Sequence, residues 1–431
     1  MNSEQRAAEL RKIISQEAPV SSGIALRYQG ETIRSNVYKI PLEFLVYNKY
    51  NGRIASSVKA YEHTSHVLDP ENPADVAIIE KYLWDSKPDR NRRTMDDIVA
   101  NGQLRHGIVT ADGVIIDGNR RASLLNRAYR ERERYKYEPN EVDKCRWFLA
   151  IILPQNASAK DIQQLETTYQ MGEDDKLDYN PIEKYLKCQD LKDLGFGEDE
   201  IANMMGRSKA DIVKWLSVLP LMKDYLHTYD YDEMYPMLEQ LEDQFLTLNK
   251  ALKDWENRGA LARYCNWEYT DTDVDDLKTI CFDYMRYGQE GKEFRRICKP
   301  GKEGAIFGDK EIWESFKESH FETTDENNDE PSIDDVLADY PDRNPVDILK
   351  GRDASWRNKV ERQFKRNLRY NLSRLDDKID DAKPKEILIK VKELLSNINT
   401  DQDGFYDDDE VVELVCEINK MTYNFKKLLG K

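Results

Sequence analysis

The clearest candidate for chemistry in the sequence is a glycine junction that carries two adjacent arginines. Residues 114–116 have the β-branched composition of a strand, and a leucine-bearing helical pattern begins just after Gly118. A helix N-terminus presents backbone N–H groups that lack partners within the helix, and glycine lets a ligand approach them closely. Arg120 and Arg121 add guanidinium groups that match phosphate oxygens. The junction therefore indicates a phosphate site, although Asp117 as a plain helix cap beside solvated arginines would give the same pattern.

The segments around this junction predict a small mixed α/β domain over residues 22–157. Four of them have strand patterns: 24–28, 37–47, 107–116 and 146–154. The third is a hairpin that turns at Asp112 and Gly113, and the fourth is apolar on both faces, as expected of a buried strand. Helical patterns separate the strands. A further helix is predicted within residues 1–21, where it could cap the domain or form a dimer contact.

From residue 158 onward almost every segment has helical periodicity, so the sequence predicts an α+β protein in which mostly α-helical domains follow the sheet. The predicted units are a helix-turn-helix domain, a helical extension, an acidic linker and a C-terminal helical domain, over residues 158–235, 236–321, 322–345 and 346–431. The linker is predicted because residues 322–342 contain nine acidic residues and no Lys or Arg. The C-terminal domain is expected to contain two long helices, at 352–374 and 384–430.

Residues 195–221 have the residue pattern of a helix-turn-helix motif. Gly206 occupies the sharp turn, and Ser208 is positioned to cap the second helix. The candidate DNA contacts lie at the start and outer face of that helix: Arg207, Ser208, Lys209 and Lys214. Between residues 181 and 226 there are seven Lys or Arg against eight Asp or Glu, so electrostatic attraction to DNA is weak and a protein partner is the alternative.

The overall charge restricts any contact with polyanions to local patches. The 431 residues carry 65 Lys and Arg against 82 Asp and Glu, a net charge of -17, which repels phosphate backbones and anionic membranes. The strongest basic patch is 352–374, with eight Lys or Arg against two acidic residues and with aromatic side chains between them. This helix could pair with the acidic helices around it, bind an acidic protein partner or contact nucleic acid.

The remaining features favour a cytoplasmic protein without a membrane anchor. No apolar run approaches the roughly 20 residues of a membrane span, and the first residues are too charged for a signal peptide. The six cysteines lie at least sixteen residues apart, without metal-knuckle or disulfide spacing. Residues 399–410 have partial EF-hand spacing, but Asn399 at the first ligand position and the lack of a second hand favour an acidic turn over a Ca²⁺ site.

Four segments, covering somewhat under half of the chain, resemble the ParB/sulfiredoxin superfamily. Residues 117–121, Asp-Gly-Asn-Arg-Arg after a strand, resemble its signature box. Residues 97–109 resemble the helix, glycine turn and strand that precede this box, with His106 where proline is usual. Residues 48–53, Asn-Lys-Tyr-Asn-Gly-Arg, resemble the N-terminal box. Residues 180–183, Asn-Pro-Ile-Glu, resemble the start of the KorB-like helix-turn-helix domain of ParB proteins.

The resemblance implies that a nucleoside triphosphate, CTP or ATP, binds with Mg²⁺ at the signature box. The residues that would then contact the nucleotide are Arg53, Gly102, Gln103, Arg105, Gly118, Asn119, Arg120, Arg121 and Gln170. Asp117 and Glu166 are the implied catalytic carboxylates, and Glu166 is also the implied metal ligand. Asn119 stands where partition proteins carry Glu, which moves the box away from chromosome-partition CTP switches and leaves the choice between CTP and ATP open.

The function expected from this resemblance is nucleotide-dependent DNA binding by a homodimer, in which nucleotide binding or slow hydrolysis switches contacts between protomers or with DNA. One alternative is a ParB-fold NTPase, kinase or nuclease in antiphage defence or a mobile element. Another is a protein-interaction adaptor with a vestigial nucleotide site. A sulfiredoxin-like reductase is disfavoured because its chemistry needs a cysteine in the box, and the nearest is Cys145. The sequence does not separate plasmid partition from defence.

Overall fold

Five strands of the described residues form one mixed sheet. The structure is a computed structural model and describes residues 1–169, 181–258, 262–340, 343–401, 405–406 and 408–430. The strands are β1 (Ser21–Tyr28), β2 (Glu31–Pro41), β3 (Gly107–Val109), β4 (Ile115–Asp117) and β5 (Trp147–Ile152). Their order is β1-β2-β5-β3-β4, and β3 runs parallel to β5 whereas the other neighbouring pairs are antiparallel.

The central strand β5 is covered on both faces. Phe148 and Ala150 belong to one hydrophobic cluster, whereas Ile151 belongs to a second cluster on the opposite face. A strand buried on both sides needs apolar residues throughout, which explains its unbroken hydrophobic sequence. The predicted buried strand, the hairpin that turns before Val114 and the α+β class are all confirmed.

Helices surround the sheet and connect its strands. They are α1 (Ser3–Gln16), α2 (Ala55–Thr64), α3 (Pro73–Asp85), α4 (Pro88–Asn101), α5 (Asn119–Arg130), α6 (Arg132–Tyr135), α7 (Pro139–Val142) and α8 (Ala159–Thr167). The N-terminal helix α1 buries Leu10 and Ile13 in the domain core. Its Arg6 is also buried and donates from Nε to the Asp112 carbonyl at 2.9 Å. The apolar face of α1 is therefore covered by its own chain, as a capping helix requires.

The helices that follow are α9 (Pro181–Asp193), α10 (Glu198–Met205), α11 (Lys209–Thr228), α12 (Glu242–Glu256), α13 (Asp271–Tyr287), α14 (Gly291–Cys298), α15 (Lys310–Glu326), α16 (Ile333–Ala338), α17 (Pro345–Ser396) and α18 (Asp409–Leu428). Residues between 182 and 375 of these helices share one hydrophobic core, to which α18 contributes no buried residue. Short 3-10 helices occupy Leu42–Phe44, Asp143–Arg146, Tyr235–Leu238, Ala262–Tyr264 and Ile306–Gly308. The core continues across the boundaries predicted at 235 and 321, so these segments pack as one helical body.

The acidic segment 322–345 is not the solvated linker that its composition predicts. Its first residues complete α15, its middle forms α16, and Glu330 between them pairs with the buried Arg286 at 2.7 Å. Arg286 also donates from Nε to Asp353 at 2.6 Å and lies over the Trp356 ring at 4.5 Å. A buried guanidinium needs anionic partners. This requirement holds part of the acidic segment against the helical body.

The sequence predicts separate helices at 352–374 and 384–430, but α17 is one helix of 52 residues that continues through Pro384. Proline removes one helical N–H, so the carbonyl of Asp380 loses its partner. Asp380 is exposed, and water can satisfy that carbonyl. Although α17 is long, its charged composition excludes a bilayer span, and no other helix of the described chain is long and apolar enough to cross a membrane.

The second predicted helix corresponds to two observed helices, the end of α17 and α18. Asn397 is the C-cap of α17, and the Asp408 carboxylate caps α18 by accepting the Glu410 N–H at 2.9 Å. Residues 402–404 and 407, which include three of the six EF-hand-like positions, lie outside the described residues.

Most of the basic segment 352–374 belongs to the helical body. Trp356 and Phe364 are buried in its core, so they do not form a stacking surface for bases. Lys359 pairs with Asp329 at 2.6 Å. These contacts support the interpretation that the segment pairs with acidic groups of its own chain, while exposed arginines remain at 362, 366 and 369.

Replacing Arg286 with Met is expected to lower the free energy of unfolding by about 3–5 kcal/mol, because Glu330 and Asp353 would lose a buried cation. The matched control is Lys359→Met, which removes the exposed pair with Asp329 and is expected to leave the same free energy almost unchanged. Urea denaturation followed by circular dichroism measures both. Similar losses in the two variants would contradict the structural role of Arg286.

Candidate functional site

A cavity of about 590 Å³ opens beside the N-terminus of α5, and we call it the arginine pocket. Four arginines line it: Arg53, Arg105, Arg120 and Arg121. Asp117 is the only carboxylate among the described lining residues. The first turn of α5 forms part of the wall, so the positive end of the helix dipole adds to the arginine charges. The arrangement is suited to an anion with several oxygens.

Gly118 makes the corner between β4 and α5, and only glycine fits there. Its φ of 105° lies in the left-handed region that side chains rarely adopt. A Cβ at this position would lie 2.6 Å from the Phe148 ring and 3.3 Å from Nη2 of Arg121. The glycine of the predicted box is thus required by packing as well as by backbone conformation, and it brings the first turn of α5 close to the cavity.

Asn119 is buried and ties two parts of the pocket together. Its Nδ2 donates to the Ile115 carbonyl at 3.1 Å, and its Oδ1 accepts from the Asn48 N–H at 2.8 Å. The side chain therefore positions the loop that carries Arg53. Because its side chain makes these bonds, the group that Asn119 offers to a phosphate is its backbone N–H in the first turn of α5.

Arg120 is held by uncharged groups on α4. Its Nε donates to Oδ1 of Asn91 at 2.5 Å, and its Nη2 donates to Oγ1 of Thr94 at 3.2 Å. Asn91 is itself buried and bonded to the carbonyl of Leu83 at 3.0 Å. These contacts orient the guanidinium on the lining of the arginine pocket.

Arg121 is oriented by two carbonyls and one carboxylate. Nη1 donates to the carbonyls of Arg105 and His106 at 2.5 and 3.0 Å, and Nη2 pairs with Oδ2 of Asp117 at 2.6 Å. A guanidinium has five N–H donors, so donors remain beyond these three bonds. Asp117, predicted as catalytic, serves here to orient Arg121.

Two residues of the predicted nucleotide set do not line the pocket. Gln103 bonds through its amide to both the N–H and the carbonyl of Leu149, at 3.0 and 2.7 Å, where β5 extends beyond β3. Gly102 ends α4 with a φ of 81°. Both residues therefore have structural contacts in the fold, and neither is on the lining of the arginine pocket. Arg105, from the same turn, does reach the pocket.

Glu166, the predicted metal ligand and catalytic carboxylate, is engaged in buried contacts. It is fully buried, pairs with Nζ of Lys187 at 2.9 Å and accepts from Nδ2 of Asn48 at 3.2 Å. Burial raises the pKa of its carboxyl, and Lys187 opposes that rise. The carboxylate is thus neutralised inside the protein and lies away from the lining of the arginine pocket. Gln170, the other residue predicted from this helix, lies outside the described residues.

The Asn-Pro-Ile-Glu element joins the sheet domain to the helical body. Glu183, in the first turn of α9, is buried and accepts from both the N–H and the hydroxyl of Ser56 at 3.1 and 2.5 Å. Ser56 lies in the first turn of α2, so the carboxylate caps a helix of the other unit. Burial raises the pKa of the Glu183 carboxyl. Asn180 lies outside the described residues.

The lining residues that sequence reasoning did not predict include Thr94, His106 and Tyr169. In the sequence, His106 was noted only because it stands where the ParB/sulfiredoxin superfamily usually has proline. It is half-buried, and both burial and the nearby Arg121 lower its pKa. Thr94 and Tyr169 come from α4 and from the end of α8, which reach the cavity only through the tertiary fold.

The helix-turn-helix geometry is confirmed. α10 ends at Gly206, whose φ is 62°, and the Ser208 hydroxyl caps α11 by accepting the Asp211 N–H at 3.1 Å. Lys209 pairs with Asp199 at 2.7 Å, and Lys214 approaches Asp211 at 3.4 Å. Arg207 lies in the turn. The predicted DNA contacts are therefore at the surface, with acidic neighbours.

A groove of about 770 Å³ between α11 and α12 adds to this surface. We call it the lysine groove, after its four lysines Lys209, Lys214, Lys250 and Lys253. Asp254 is the acidic residue of its described lining. Lys250 and Lys253 come from α12, a helix that the sequence motif does not include.

Comparison with known proteins does not assign the chain to a family. No protein-family model matches the sequence, and no curated protein matches it either. Within the part of the chain that the structure describes, no group of three or more His, Cys, Asp or Glu side chains is arranged to hold a metal ion. The family resemblance therefore depends on the residues and the geometry described above.

Anion binding in the arginine pocket is expected to raise the pKa of His106. The burial and the Arg121 charge that lower this pKa both disfavour the imidazolium, and a bound anion would stabilise it. Proton NMR titration with and without pyrophosphate measures the change, and His106→Gln identifies the resonance among the five histidines. His227, exposed on α11, is the internal control. Pyrophosphate binding that leaves the His106 titration unchanged would contradict the site.

Proposed function

We propose that this chain is a ParB-like protein in which a nucleoside triphosphate with Mg²⁺ binds in the arginine pocket and the helix-turn-helix contacts DNA. The observation that supports the proposal most directly is the convergence of four arginines on one cavity at a helix N-terminus. Guanidinium groups match the geometry of phosphate oxygens, so a polyphosphate is the class of ligand that this lining fits best.

The shape and lining of the pocket are consistent with a nucleotide. Its volume lies within the range of roughly 300–1,000 Å³ that is usual for small-molecule sites. Leu104 and Tyr169 offer apolar surface for a base, while the arginines and the first turn of α5 face the phosphates. CTP and ATP are both compatible with these groups.

The residues present fit Mg²⁺ only as a partner of the nucleotide. Magnesium prefers oxygen ligands and is usually held by one or two carboxylates together with substrate phosphates. Asp117 is the carboxylate that could contribute, and it is shared with Arg121. When bound, Mg²⁺ would neutralise phosphate charge, while Arg120 and Arg121 hold and orient the phosphate oxygens.

The lysine groove supports a role for DNA. Its four lysines outnumber its single lining aspartate, which creates a local basic surface next to the start of α11. Lysines at the two sides of a groove can contact successive phosphates of one strand. The acidic neighbours Asp199 and Asp211 weaken this attraction, so binding is expected to be strongest at low salt.

The binding role is favoured over the enzyme alternatives by the state of the two predicted carboxylates. Arg121 neutralises Asp117, and Lys187 neutralises the buried Glu166. A general base has to accept a proton near the reacting group. Neither carboxylate is presented to the arginine pocket as an unpaired base, so slow turnover is the expected result in an NTPase assay.

Nucleotide binding is tested by thermal denaturation of the full chain with Mg²⁺ and each of the four NTPs, with tripolyphosphate as a probe that lacks a base. A ligand at about 100 times its Kd adds roughly 2.7 kcal/mol to the unfolding free energy. Arg121→Ala is expected to abolish the rise in Tm. Arg134→Ala, an exposed arginine outside the pocket, is the matched control and is expected to retain it. If none of the five ligands shifts Tm, the proposal is wrong.

DNA binding is tested by fluorescence anisotropy with duplex DNA over a range of salt concentrations. The double variant Lys250→Gln/Lys253→Gln is expected to reduce affinity and to flatten the slope of log K against log salt by about 1–2, because each phosphate contact contributes about 0.9. Lys223→Gln, an exposed lysine of α11 outside the groove, is the control. Wild-type protein without measurable DNA affinity at low salt would favour the adaptor alternative.

A further inference from the structure

A cleft lies at the junction between the sheet domain and the helical body, apart from the arginine pocket and the lysine groove. It consists of two adjoining cavities of about 470 and 270 Å³, which we call together the junction cleft. The described linings of the two cavities share Ser57, Tyr82, Asp85 and Glu239. Arg53 is the described residue that the junction cleft has in common with the arginine pocket. Clefts between packed units are frequent binding sites for small molecules.

One buried carboxylate on the lining of the junction cleft lacks a hydrogen-bond donor. Glu183 is 2% exposed, and its Oε1 accepts from the N–H and the hydroxyl of Ser56 at 3.1 and 2.5 Å. Its Oε2 has no hydrogen-bond partner among the described residues. A buried polar atom without a partner is costly, and native proteins rarely leave one unexplained. Because Oε1 already caps α2, Oε2 is the oxygen that can accept from a ligand.

The charges on the lining favour a cationic ligand over an anionic one. Three further carboxylates belong to the described lining: Asp85, Glu239 and Asp347. The cations of the described lining are Arg53, Lys87 and Lys350. Lys350 pairs with Glu239 at 3.2 Å, and the other two cations are engaged in interactions within the chain. An ammonium group can donate to Oε2 of Glu183, whereas an anion would be repelled by the same carboxylate.

The carboxylates are distributed over both cavities, so they fit a ligand with more than one cation. Glu183 belongs to the larger cavity and Asp347 to the smaller one, while Asp85 and Glu239 border both. A single ammonium group could reach only part of this set. The walls also offer apolar surface from Ile54, Ala60, Tyr61, Tyr82, Pro236 and Val346. Methylene chains that link ammonium groups would cover such surface favourably.

We propose that the junction cleft binds a linear aliphatic polyamine, with one ammonium group on Oε2 of Glu183 and another beside Asp347. Tyr82 borders both cavities, and its ring face attracts a cation that passes it. The bound polyamine touches α2 and α3 of the sheet domain as well as α9 and α17 of the helical body. Polyamine binding therefore stabilises the junction between the two units.

Isothermal titration calorimetry of spermidine into the full chain tests the proposal, at an ionic strength of about 0.15 M to screen exposed charges. One saturable site is expected in the wild type. Glu183→Gln retains an oxygen for Ser56 but replaces the acceptor Oε2 with a donor, so affinity is expected to fall roughly 10- to 100-fold. Asp347→Asn removes an exposed carboxylate and is expected to weaken binding about 2- to 5-fold. The matched control is Glu314→Gln, an exposed glutamate of α15 outside the cleft, which is expected to bind like the wild type.

The controls separate a built site from general attraction to the net charge of -17. Wild-type affinity in Glu183→Gln, equal weakening in Glu314→Gln, or no saturable binding to the wild type would each overturn the proposal. Mg²⁺ supplies positive charge without a methylene chain, and displacement of spermidine by an equal concentration of Mg²⁺ would also contradict it. Far-UV circular dichroism checks the fold of every variant. If Glu183→Gln does not fold, Tyr82→Leu replaces it, since loss of the ring face is expected to weaken binding and unchanged affinity would overturn the proposal.

Discussion

The packing of the Phe148 ring between two glycines is the constraint on which the candidate site depends. Phe148 projects from the central strand β5 against Gly107 at the start of β3 and against Gly118 at the end of β4. A side chain at either glycine would displace the ring. Because the ring is fully buried, its position fixes the distance between the sheet and the corner where α5 begins. This contact therefore determines the positions of the arginines in the first turn of α5.

Polar contacts orient the two arginines in the first turn of α5. Arg120 donates to an amide and a hydroxyl of α4, and Arg121 donates to two carbonyls and one carboxylate. These contacts hold both side chains on the lining of the arginine pocket. In the helical body, the buried Arg286 instead pairs with Glu330 and Asp353. The same residue type thus lines a cavity in one place and stabilises the core in the other.

The features that the sequence predicted correctly are local, and those it missed depend on distant contacts. The strand, the glycine corner and the helix at Gly118 lie within about ten residues, so composition and spacing suffice to find them. Whether Glu166 is a catalytic carboxylate or half of a buried ion pair is decided by Lys187, which comes from a different helix. The acidic segment likewise has the composition of a solvated linker, and only the buried Arg286 explains why Glu330 is docked. A sequence pattern shows which side chains are present, but the tertiary fold determines which of them come into contact.

Buried polar contacts join the arginine pocket to the helix-turn-helix. Asn48 donates from its N–H to Asn119 and from its side chain to Glu166, and Glu166 pairs with Lys187 on α9. α9 packs directly against α10 and α11. A buried ion pair is strongly destabilising to break when one partner is removed, so this connection holds the loop carrying Arg53 in a fixed relation to α9. A displacement of Arg53 would therefore act on Asn48 and the Glu166–Lys187 pair before any effect reached α10 and α11.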